Sequence, residues 1–150
     1  MLRSRPAVCA AALALVFSCD SLGPPPGDSV PLGTWGGENA GMIVGDSGTH
    51  VHMGCTIGEI RGRITLDSWG RFDVPGSQNL TAYPVDRGVY LPARFTGVAG
   101  TDALNLTVTV NDTTTGRTVV LGPVRLVFGQ TPHMGPCPIC RRAPGAAPTR

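Results

Sequence analysis

Leu104-Asn105-Leu106-Thr107-Val108-Thr109-Val110-Asn111 alternates apolar and polar side chains without a break. A strand turns successive side chains to opposite faces, so a period of two means one face on a core and one in water. Leu104, Leu106, Val108 and Val110 would face inward, and Asn105, Thr107, Thr109 and Asn111 outward.

The same grammar extends in both directions. Downstream, Asn111 to Gly116 reads as a turn. Arg117 to Phe128 reads as a returning strand with a bulge at Gly122-Pro123, apolar on both faces, as in a strand that is covered twice or closes a barrel. Upstream, Val89, Leu91, Ala93, Phe95 and Gly97 alternate, with Pro92 marking an edge or a bulge. Phe72 and Val74 follow a turn at Asp67 to Gly70, and Ile60, Gly62, Ile64 and Leu66 alternate with Arg61, Arg63 and Thr65. In Thr49 to Cys55, Val51, Met53 and Cys55 share one face, and His50 and His52 share the other. Thr34 to Glu38 and Met42 to Gly45 form a first pair, followed by a hairpin turn at Asp46-Ser47-Gly48. Pro75 to Gly88 lacks periodicity and reads as the longest loop. The pattern predicts an all-β domain: a small antiparallel meander of about eight strands, closed or nearly closed into a barrel, with a two-sheet β-sandwich as the alternative.

Composition agrees. Gly 21 and Pro 14 supply turns, and an aromatic content of 5% requires an aliphatic core. Every basic residue is Arg, and removing Arg3 and Arg5 from the 12 leaves as many as the 10 acidic residues. A neutral chain with scattered Arg offers no footprint for nucleic acid. The basic end at Arg141, Arg142 and Arg150 reads as a solvated terminus.

The first residues read as an export segment. Arg3 and Arg5 precede an apolar run from Ala7 to Phe17, too short to span a bilayer as a helix but suited to a signal peptide. Val16-Phe17-Ser18-Cys19 resembles the lipobox of bacterial lipoprotein precursors. That resemblance implies cleavage before Cys19, acyl chains on Cys19, and a membrane anchor in the cell envelope, with inner and outer membrane undecided by Asp20. Residues 1–18 are then signal peptide, and 19–32 are the lipidated cysteine with a Pro-, Gly- and Ser-rich tether. Residues 33–137 form the all-β domain, and 138–150 a disordered tail.

Within the domain, Gly33-Thr34-Trp35-Gly36-Gly37, Cys55, Leu66-Asp67, Gly70 to Gly76, Pro92 to Gly97 and Cys137 resemble a group of small uncharacterised bacterial lipoproteins. The resemblance implies fold and address, not an activity. Gly33-Thr34-Trp35 is also similar to the Gly-x-Trp of the first lipocalin strand.

Candidate chemistry begins with cysteine. Cys9 leaves with the signal and Cys19 takes lipid, so Cys55, Cys137 and Cys140 remain. An oxidising compartment favours pairing, Cys55–Cys137 first, with Cys55–Cys140 as the alternative. Cys137-Pro138-Ile139-Cys140 lacks the following helix that activates a redox Cys-x-x-Cys. A zinc set from His133 and the three cysteines would need reduced thiolates, and strand parity turns His50 and His52 away from Cys55. Gly45-Asp46-Ser47-Gly48 resembles the nucleophile segment of trypsin-like proteases, but no histidine precedes His50, so it reads as a turn. Asn79-Leu80-Thr81, Asn105-Leu106-Thr107 and Asn111-Asp112-Thr113 fit the N-glycosylation pattern, which a bacterial lipoprotein would not normally use. The expectation is therefore a non-enzymatic protein with no metal and no cofactor, partnered to a membrane through its anchor. A hollow barrel would hold a small apolar ligand beneath Pro75 to Gly88; a filled one would make the domain structural or a protein-interaction module.

Overall fold

Period-two alternation becomes eight antiparallel strands in the computed structural model, which describes residues 27–81 and 88–137. They are β1 (Gly33–Gly37), β2 (Ala40–Val44), β3 (Gly48–Met53), β4 (Thr56–Arg61), β5 (Arg71–Asn79), β6 (Tyr90–Ala99), β7 (Ala103–Asp112) and β8 (Arg117–Phe128). Each pairs with the next, and β8 returns to β1 through Trp35 opposite Phe128 and Gly36 opposite Val127, closing a meander barrel. No helix occurs among the described residues. Closure removes the free edges that an open sheet of this size would expose.

The inward positions are those the alternation selects. Leu104, Leu106, Val108 and Val110 of β7 are buried, as are Leu91, Ala93 and Phe95 of β6 and Trp35, Met42 and Val51 of the first strands. The bulge falls where expected: Leu106 faces Val124 and Val108 faces Leu121, so Gly122 and Pro123 together oppose Thr107. β8 closes the barrel, and its apolar outer face stays uncovered, with Val120 59% exposed. Pro92 sits on β6 just beyond the ladder with β7, which begins at Ala93, so its missing N–H costs nothing there. At the β7–β8 turn the Asp112 carboxylate accepts bonds from the hydroxyls and amides of Thr114 and Thr115, which hold it down at about 2.

Four expectations change. The fourth strand runs Thr56–Arg61, not Ile60 to Leu66; Arg61 is followed by Gly62 at φ 74, which breaks the strand. Ile64 and Leu66 still reach the core region, but through a loop. Pro75 to Asn79 is strand, not loop: Pro75 faces Arg94 in β5–β6 register. Proline is tolerated because β5 meets β4 only from Ser77 to Asn79, leaving Pro75 without a partner on that side. Cys55 lies in the β3–β4 turn after Gly54 (φ 58), beyond the end of β3 at Met53, so strand parity does not govern it.

Finally, the domain begins before residue 33. The Val30 amide donates to the Ile64 carbonyl (2.9 Å), the Leu66 amide to Asp28 (2.9 Å), and Val30 is 1% exposed. The Trp35 indole N–H donates to the Pro31 carbonyl at 3.0 Å, tying this entry segment to β1. The signal peptide, Cys19, most of the tether, part of the Pro75–Gly88 stretch, Cys140 and the tail lie outside the described residues.

Candidate functional site

The barrel interior is occupied by the protein's own side chains. Trp35, Phe95, Leu104, Val108 and Leu126 are each 0% exposed. Phe95 of β6 reaches under the β4–β5 junction, where a Cβ on Gly58 or Gly76 would run into its ring. Bare glycine backbone thus makes room for an aromatic that covers it. Gln78 is also fully buried, donating to Thr56 Oγ1 at 2.7 Å while its Oε1 has no partner. Chemistry open to solvent therefore lies on the wall and the outer face.

The wall opens where β4 and β5 part. Only Ile57, Gly58 and Glu59 pair with β5, and the strands splay beyond them. A cleft of about 880 Å³ lies between, lined by Gly48, Glu59, Arg61, Pro75, Ser77 and Tyr90 among others.

The outer face carries His50, His52 and Glu59, beside a strap formed by the chain beyond β8. The Gly129 amide donates to Thr34 O (2.8 Å), and the strap crosses β1 and β2 where Gly36 and Gly41 face outward. A Cβ on Gly36 would overlap the backbone of Gln130 to Pro132, and one on Gly41 would overlap the Pro132 ring. The strap then pairs in parallel at His133: its amide donates to Gly37 O (3.0 Å) and its carbonyl accepts from Asn39 N (2.8 Å). The His133 Nδ1–H donates to Glu38 at 2.8 Å, and that carboxylate raises the imidazole above its ordinary value, chiefly through the hydrogen bond and then through charge. Cys137 ends the described strap in a disulfide with Cys55 (Cα–Cα 5.5 Å).

Between the strap and the outer wall lies a cavity of about 310 Å³, lined by His52, Cys55, Ile57, Met134, Pro136 and Cys137 among others. His52 thus shares a cavity with Cys55, against the parity expectation, because Gly54 swings the cysteine out of the strand. His50 lies beside His52, with its Nε2 2.9 Å from the His52 Nε2. Glu59, facing His50 across the β3–β4 ladder, accepts the bond from His50 Nδ1. Burial first, then the neighbouring His50, push the His52 imidazole below its ordinary value, against the pull of the Glu59 carboxylate.

Of the residues singled out from sequence, Cys55 and Cys137 are brought together, and His133 stands on Glu38 apart from them. Sequence reasoning missed Glu59. The signal was present, since a turn centred on Gly54-Cys55 puts Glu59 opposite His50, but starting the strand at Ile60 left Glu59 outside it. No family model, curated protein or solved structure matches the chain.

Proposed function

We propose that this is a lipid-anchored protein of the bacterial cell envelope whose barrel is an interaction module working through its outer surface, without enzymatic activity. The filled interior carries this reading: with Trp35, Phe95, Leu104 and Leu126 occupying the lumen, an apolar ligand would have to displace core side chains. The anchor rests on the lipobox-like Val16 to Cys19 and on the Pro-rich spacer that follows. The entry segment, with Val30 and Pro31 bound at the end where β1 begins, would turn that end toward the membrane and leave the Cys55–Cys137 end of the strap accessible.

Two measurements test the two halves of the proposal. Intact mass of membrane-extracted protein should fit cleavage before Cys19 plus acyl chains, and Cys19→Ala should release the protein from membranes. An unlipidated mass at the membrane would sink the anchor. Titration with a fluorescent fatty acid should show no saturable uptake; stoichiometric uptake that quenches Trp35 would restore the hollow-barrel reading.

A further inference from the structure

We infer that His50 and His52 form a two-nitrogen chelate for a divalent transition metal, copper(II) foremost, with Glu59 as the carboxylate that orients His50. Positions i and i+2 of β3 place both imidazoles on the outer face, and their Nε2 atoms stand 2.9 Å apart. In the metal-free protein that contact is a hydrogen bond, and a turn of the His52 ring would converge both nitrogens on one ion. Affinity at an imidazole pair rises to its maximum at copper(II) along the first-row divalent series.

The second observation is the orientation of His50. Its Nδ1–H is committed to Glu59, so the neutral ring carries its lone pair on Nε2 and aims it at His52. A ligating histidine characteristically gives its other N–H to a carboxylate in this way. Without metal, the His52 Nε2–H donates to that lone pair. Binding moves the His52 proton from Nε2 to Nδ1, through solvent, and frees a second lone pair; both rings stay neutral and no net proton is released. Among the described residues no three His, Cys, Asp or Glu side chains converge. The protein therefore supplies two ligands, and water fills the positions left at this half-exposed face. Glu59 is a positioning residue acting through His50.

The test uses the full chain with the Cys55–Cys137 disulfide intact and the remaining thiols alkylated, titrated with copper(II) chloride by calorimetry and electron paramagnetic resonance. One ion should bind per chain with hyperfine coupling to two nitrogens. His50→Gln and His52→Gln should each weaken binding at least tenfold, while His133→Gln, whose ring is turned to Glu38, should leave it unchanged. Glu59→Gln should weaken binding about 10–100-fold with the two-nitrogen spectrum retained, which general loosening of the fold would not produce. Unaltered far-ultraviolet circular dichroism checks each variant's fold. Wild-type affinity no greater than that of the His50→Gln/His52→Gln double variant overturns the assignment, as does a spectrum without two coupled nitrogens.

Discussion

The barrel has two unlike halves. β5 to β8 are long strands that pair nearly along their whole lengths, from Arg71–Asn79 on Tyr90–Val98 to Ala103–Asp112 on Arg117–Val127. β1 to β4 are 5 or 6 residues each and rich in glycine. The halves meet at two short junctions, β4–β5 over Ile57–Glu59 and β1–β8 over Trp35 and Gly36. Each junction carries an aromatic: Phe95 beneath the first, and Trp35 edge-on to Phe128 (centroids 5.1 Å) at the second. The short half alone bears the strap and the disulfide. Long ladders hold one another along most of their length; short strands gain an external brace, and His52 lines the cavity between brace and wall.

Removing a junction aromatic should have the largest effect. Phe95→Ala should cost about 3–5 kcal/mol, because the bare backbone at Gly58 and Gly76 cannot close over the void. Chemical denaturation measures it, and a loss below about 1 kcal/mol would mean the halves do not depend on this junction.

Next comes the brace. Cys55–Cys137 encloses a separation of 82 residues, about 4.5 kcal/mol in the chain-entropy account and more often 2–4 in practice. Cys55→Ser should lower stability by that order, and native-state hydrogen exchange should show the extra opening in β1–β4 before β5–β8. Equal loss of protection in both halves would erase the distinction between them. Cys140→Ser serves as the control and should be neutral.

A smaller effect separates strap from strand. Gly41→Ala pushes a methyl into the Pro132 ring, a cost of about 1–3 kcal/mol where the strap is pinned. In a Cys55→Ser background the strap can lift, so the two penalties should fall short of additivity. Full additivity would mean that the disulfide does not press the strap onto Gly41.

Alternation made the long half legible. Leu104 to Asn111 and Val89 to Gly97 read directly as strands because one face is buried and the other wet along their length. Inward alternation also picked out Val51 and Met53 in the short half. Three things were hidden. Where β4 and β5 part, an inward Ile64 belongs to a loop and an outward Pro75 to a strand, since pairing on one side only relaxes the link between pattern and ladder. The strap was hidden altogether: Gln130 to Pro136 has no period, and its place is set by the bareness of Gly36 and Gly41, which as sequence looks only like turn material. The Glu59–His50–His52 chain stayed out of view for a related reason, because it depends on one turn at Gly54-Cys55 and so on a single register.

The smallest effect lies in the pH response of the short half, where two histidines pull in opposite senses. Glu38 raises His133 in the folded state, so its contribution is complete below the unfolded value of about 6.5 and is lost as pH rises through the folded one. His52 is lowered by burial and by His50, so the unfolded chain binds its proton more readily, and stability falls as pH drops below about 6.5. The two windows lie on either side of about 6.5, so the wild-type melting temperature should pass through a maximum near that pH. His133→Asn should uncover a protein that gains stability from pH 5.5 to 7.5, and His52→Asn one that loses it over the same range. Melting temperatures of the three proteins across that window measure both slopes. If both variants tilt the same way, the strap contact at Glu38 and the half-buried imidazole beside the strap are not the independent, opposed groups that their separate neighbours make them.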